Sequence, residues 1–95
     1  MTAYLIVRVE VTDPVQYEDY KKLTPAAIEA AGGKFIVRGG EHETLEGEPD
    51  SRRIVVAEFE TTEAAKAFYN SELYVEARRV RDGAANMQMV VVQGA

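Results

Sequence analysis

Few side chains in this sequence can do chemistry, and their types narrow the choice. There is no cysteine and a single histidine, His42, which excludes thiolate nucleophiles, disulfides and cysteine-held metals, and leaves a two-imidazole metal site to a second copy of the chain. Carboxylates, tyrosines, arginines and His42 remain. Arg38 stands before Gly39-Gly40, a fixed cation beside backbone without side chains, suited to holding a carboxylate or enolate bidentately. The same three residues also suit a bulged strand end with an ion-paired arginine. Glu41-His42-Glu43, with Glu46 nearby, offers a neutral imidazole near carboxylates, the makings of a general base. In an extended segment, however, His42 points away from both glutamates, so no metal site is expected and the stretch reads equally as a solvated acidic loop.

A second polar set is Tyr69, Asn70 and Tyr74, with Arg78 one turn beyond Tyr74. Here a tyrosine can move a proton and an arginine can hold an anion, or the rings can simply pack on the core and close a helix-to-strand connection. Ser51, Ser71 and His42 assemble into no nucleophilic triad. The glycines lack the spacing and following helix of a phosphate loop.

Charge and hydropathy limit the partners. With 16 acidic against 11 basic residues the net charge is -5, and apart from Arg78, Arg79 and Arg81 the basic residues form no run, so nucleic acid is not expected. No apolar stretch approaches the roughly 18 residues of a membrane span. The opening residues lead into strand-like sequence without a basic leader and apolar signal core, so a cytoplasmic location is expected. A hydrophobic fraction of 46% with 28% charged residues is that of a folded globular chain, and 95 residues make a single domain over residues 1–95.

The elements that must position these groups follow from periodicity. Tyr4–Val11 alternates as a strand, with Leu5, Val7, Val9 and Val11 on one face. Asp13 offers an N-cap oxygen and Pro14 a pre-set φ, starting a helix that ends at Gly32-Gly33 and should kink near Leu23 and Thr24, because Pro25 removes a backbone donor. Lys34–Arg38 reads as a second strand, with Glu41–Gly47 as a bulged extension and a turn over Glu48–Ser51. Arg53–Phe59 is a third strand. Thr61 or Thr62 caps a second helix through Tyr69, Ser71 caps a further helical piece to about Arg81, and Met87–Gln93 is the last strand.

The order β-α-β-β-α-β is the split βαβ arrangement, an α+β, ferredoxin-like fold in which a four-stranded antiparallel sheet carries its helices on one face. Helices on one face need only half of the strand residues to be apolar, yet both faces are: Ile54 and Val56 oppose Val55, Ala57 and Phe59, and Val90 and Val92 oppose Met87, Met89 and Val91. An uncovered apolar face calls for a cover, and a second copy related by a two-fold axis supplies it, the two sheets closing into a barrel-like homodimer. Tyr4, Arg8, Glu10, Arg38 and Gln88 interrupt that second face. They either line a cavity between the sheets, as substrate-binding groups, or rim the interface.

Tyr4–Val11 with Thr12-Asp13-Pro14, Gly32-Gly33-Lys34-Phe35, Arg38-Gly39-Gly40, Leu45-Glu46-Gly47, Val55–Phe59 and Tyr69-Asn70-Ser71 with Tyr74 together resemble the family known as domain of unknown function 1330, of the dimeric α/β-barrel superfamily. The resemblance spans almost the whole chain and implies a ferredoxin-like protomer whose sheets pack face to face in a dimer. The wider superfamily includes cofactor-free monooxygenases, lactone isomerases, polyketide cyclases, dehydratases and haem-dependent enzymes, with substrate held between sheet and helices. Haem-binding members use a helical histidine, whereas His42 falls on a strand or loop, so haem is not implied.

The expectation is a small enzyme acting on a carboxylated or enolisable metabolite without metal or cofactor. Arg38 would hold the anion, His42 or Tyr69 would move a proton, and Tyr4, Arg8, Gly39, Asn70, Tyr74 and Arg78 would bind substrate. The alternative is a non-catalytic dimer that binds a small molecule or is purely structural.

Overall fold

A computed structural model describes residues 2–95. The elements are β1 (Ala3–Val11), α1 (Pro14–Ala30), β2 (Lys34–Arg38), β3 (Arg53–Phe59), α2 (Thr62–Asn70), α3 (Glu72–Val80) and β4 (Ala85–Gln93). The strands form one antiparallel sheet in the order β2-β3-β1-β4. Its outer strands, β2 and β4, each pair along one edge only, so the sheet of a single chain is open and not a barrel.

Side-chain alternation divides the sheet. Ala3, Leu5, Val7 and Val9 of β1 are buried, and with Ala57 and Phe59 of β3 they meet Tyr17, Tyr20, Ala27 and Ile28 of α1, Ala65 and Phe68 of α2 and Tyr74 and Ala77 of α3. An aromatic chain runs through this core, with ring centroids 5.3 Å apart for Tyr17–Tyr20, 6.2 Å for Tyr20–Tyr74, 4.4 Å for Tyr74–Phe68 and 5.5 Å for Phe68–Phe59. Such rings bury large areas, which a chain this small needs. The opposite face stays uncovered: register places Ile6 between Val56 and Val90, Arg8 between Ile54 and Gln88, and Tyr4 between Glu58 and Val92. Charged groups mark its ends, with Lys34 3.7 Å from Glu58 at one and Asn86 donating to Glu10 at 3.2 Å at the other.

The helix starts follow the expected caps. Asp13 accepts from the Gln16 amide at 3.1 Å, Thr61 from that of Ala64 at 3.0 Å and Ser71 from that of Tyr74 at 3.2 Å. Ser71 leaves the helical conformation between α2 and α3, so the further helical piece that it is expected to cap is a separate helix, Glu72–Val80.

Pro25 does not end α1, which continues to Ala30. Proline lacks the N–H that would reach the Lys21 carbonyl four residues back. That carbonyl accepts instead from the Arg38 guanidinium at 2.9 Å and the Thr24 hydroxyl at 3.2 Å. The lost bond is replaced from outside the helix.

Arg38 reaches α1 because β2 is bulged between Phe35 and Val37, which shifts its pairing with β3. One added residue reverses alternation: Val37 opposes Val56 on the open face, while Arg38 opposes Val55 on the helix side and lies 4.6 Å from the Phe35 ring centroid. The expectation that Arg38 lies on the second sheet face is thereby corrected.

The segment from Glu41 to Gly47 is not a strand either. Gly39 takes φ +73° and its amide donates to the Ile54 carbonyl at 2.8 Å, the last such contact before the chain leaves the sheet. Residues 39–49 are exposed, and the arm is held by its own bonds: His42 Nε2 lies 3.0 Å from the Asp50 carbonyl oxygen, the Asp50 amide donates to Thr44 at 3.2 Å, and Arg52 grips the Asp50 carboxylate at 2.8 Å.

Candidate functional site

Two recesses open between the sheet and the helices, and Leu5, Met87 and Met89 belong to both. The roomier lies along edge strand β4 beneath α2 and the end of α3. Its volume is about 390 Å³, with Leu5, Met87, Met89 and Val91 as an apolar floor and Lys66, Tyr69, Asn70 and Arg81 as polar walls. No carboxylate lines it, although the chain carries a net charge of -5. An apolar trough with a few convergent polar groups is the usual form of a small-molecule site.

The other recess, on the α1 and β2 side, is lined by Tyr17, Tyr20, Thr24, Phe35, Arg38 and Tyr74 among others, and its volume of about 40 Å³ is too small for a metabolite. Between the two recesses stand the hydroxyls of Tyr20 and Tyr74, 2.7 Å apart, with the Tyr74 hydroxyl 3.6 Å from the Met89 sulfur. Burial, and then the Tyr74 hydroxyl beside it, push the Tyr20 pKa far above the ordinary phenol value, so Tyr20 stays protonated. Burial also raises Tyr17, against the pull of Arg53.

Tyr69 and Asn70 come together at the rim of the larger cleft. Arg78 lies 4.2 Å from the Tyr69 ring centroid and donates to its hydroxyl at 3.1 Å, which fixes that ring at the entrance. Tyr74 is fully buried behind the cleft. Arg38 is engaged by the Lys21 carbonyl at the small recess. His42 lies in a separate surface depression on the arm with Glu41, Glu43 and Asp50, and lines neither recess. Tyr4 and Arg8 face the open side of the sheet. Gly39 serves the backbone: a Cβ there would collide with the Arg53 guanidinium, and its positive φ disfavours any other residue. Among the described residues no three His, Asp, Glu or Cys side chains gather to hold a metal, and no helix is long and apolar enough to cross a membrane.

Arg81 and Lys66 were not legible as site residues. Arg81 follows Tyr74 by two helical turns and shares its face, a spacing that could have signalled it, but as one of several arginines closing a helix it reads as a complement to the helix dipole. Lys66 reads as an ordinary exposed position of α2.

Solved structures share this fold at low identity. A protein of unknown function from Rhodopseudomonas palustris superposes with TM-score 0.75 at 19% identity, covering 99% of this chain and 82% of that one. A dimeric ferredoxin-like protein of unknown function from Jannaschia sp. CCS1 gives 0.73 at 12%, covering 99% and 100%. SnoaB, a cofactor-independent oxygenase from Streptomyces nogalater, gives 0.63 at 13%, covering 99% and 93%. At such identities the likeness establishes the fold alone. No curated protein matches the sequence. The family model described as Domain of unknown function (DUF1330) matches residues 2–95, and the chain belongs to that family.

Proposed function

We propose that the protein is a homodimer that binds, and acts without metal on, a small carboxylated or enolisable metabolite lodged between β4 and the helices. The observation that carries this reading is the cleft itself: about 390 Å³ of apolar trough in an acidic protein, walled by Lys66 and Arg81 and by no carboxylate. Such lining attracts an anion and gives its apolar body a dry floor. Tyr69, held at the rim by Arg78, is the proton-bearing group that reaches the cleft. Asn70 beside it already donates one amide hydrogen to the Lys66 carbonyl at 3.1 Å and has its second for a carbonyl oxygen of the ligand.

The dimer rests on the uncovered sheet face, where Ile6, Ile54, Val56, Val90 and Val92 form an apolar centre between charged ends, the composition of an interface with a polar rim. The dimeric description of the Jannaschia protein and the cofactor-independent oxygenase activity of SnoaB agree with the reading. One observation favours a non-catalytic binding protein as the second reading: His42 stands apart from the cleft, which leaves Tyr69, Asn70 and the cations Lys66 and Arg81 as the polar groups at its walls.

Native mass spectrometry of gently purified protein tests both parts. The expected spectrum is a dimer carrying a small extra mass, which would identify the ligand. A monomer at micromolar concentration overturns the dimer. If a captured ligand is bound yet unchanged on prolonged incubation with air and water, the binding-protein reading replaces the enzyme.

A further inference from the structure

Arg81 is held in a way that ordinary surface arginines are not. It caps the C-terminus of α3, and the Gln16 side-chain amide, reaching from the first turn of α1, donates to the carbonyls on either side of it, Val80 at 2.9 Å and Asp82 at 2.7 Å. The same corner is tied again by the Thr12 and Asp13 amides, which donate to the Ala84 carbonyl at 2.8 and 3.0 Å. Its guanidinium carbon lies 5.5 Å from the Tyr20 ring centroid. Burial alone would depress its pKa, but the Tyr74 and Tyr20 oxygens more than offset this, and the cation is raised above its ordinary value.

What the half-buried guanidinium lacks is a counter-ion. Among the described residues no carboxylate lies within ion-pair distance of Arg81, and its buried Nε has no hydrogen-bond partner. With 16 acidic residues in the chain, a cation without a counter-ion on the wall of the roomier recess between sheet and helices is a site left for an anion from outside.

We infer that Arg81 anchors the charged end of the ligand, a carboxylate or enolate oxygen, while an apolar body lies over Met87 and Met89. Tyr20 and Tyr74 act as positioning residues behind it, and Lys66 lies at the outer wall. This deepens the cleft reading and depends on it.

The probes are 3-phenylpropanoate and 3-phenylpropanamide, alike in shape and different in charge, added to the full chain carrying 13C-methyl methionine. The Met87 and Met89 methyls report occupancy of the floor. The acid should shift both methyls saturably and bind at least tenfold more tightly than the amide. Arg81→Met should abolish that preference and leave amide binding unchanged, and Arg81→Lys should recover part of it. Equal binding of acid and amide by the unaltered protein overturns the anchor and leaves the cleft standing, a result that needs no variant to fold. If neither probe moves the methionine methyls at millimolar concentration, the cleft reading falls and the anchor with it.

Discussion

Two phenol oxygens 2.7 Å apart in the interior, those of Tyr20 and Tyr74, satisfy each other where water does not reach. Removing one leaves the other short of its strongest partner, so Tyr20→Phe should cost about 1–2 kcal/mol of stability, read from the urea midpoint at constant m-value. The pair also sets the response to alkali. Unfolded tyrosines ionise from about pH 10, whereas burial raises Tyr17 and Tyr20 in the folded chain. Above about pH 10 the unfolded state therefore releases protons that the folded state retains, so the contribution of these two tyrosines is constant below that pH and stability should fall above it. The fall should be shallower in Tyr20→Phe. An unchanged slope would mean that this phenol titrates alike in both states. At this scale the sequence signals residue type but not setting: Tyr69, Tyr74, Tyr17 and Tyr20 differ in burial and partner, and only Tyr69 meets the cleft.

Between elements, the informative contact is Arg38 with the Lys21 carbonyl that Pro25 leaves free. Arg38→Met should destabilise by about 1 kcal/mol, because a carbonyl in α1 loses its charged donor. In a Pro25→Ala background the alanine N–H can take that carbonyl, and the cost of Arg38→Met should shrink. Equal costs in both backgrounds, measured as a double-mutant cycle, would remove the coupling. Gly39→Ala tests the turn that sends the arm away from the sheet. At φ +73° and against the Arg53 guanidinium, a methyl group should cost about 1–2 kcal/mol. The proline-containing pattern reads as one helical element, and α1 runs unbroken to Ala30. Alternation predicts Arg38 on the open face, and that expectation fails because the bulge in β2 turns Arg38 toward the helix, where it donates to the carbonyl that proline leaves without its N–H partner.

For the molecule as a whole, the uncovered sheet face is where the proposed dimer is tested. Val56 sits near its centre, opposite Ile6 on one neighbour and Val37 on the other. In a lone protomer the residue is half-exposed, so Val56→Lys should leave folding nearly unchanged. Across a dimer it would bury an unpaired ammonium, so the variant should sediment as a monomer at micromolar concentration while the unaltered chain sediments as a dimer. A variant that remains dimeric would place the interface elsewhere.

The sequence by itself determined the element order, the strand alternation, the caps at Asp13, Thr61 and Ser71 and the presence of two apolar sheet faces, because these depend on local periodicity and on which side chains can satisfy orphaned backbone groups. It determined the family as well, since the motifs run in order along residues 2–95. Only the tertiary structure decided which polar residues share a space. Tyr69 and Asn70 join Arg81 and Lys66 across α2, α3 and β4, Arg38 is spent on α1, and His42 stands on an arm that bonds to itself. The physical reason is that a site forms where distant segments converge, and one extra residue in a strand, as in β2, reverses every side chain beyond it.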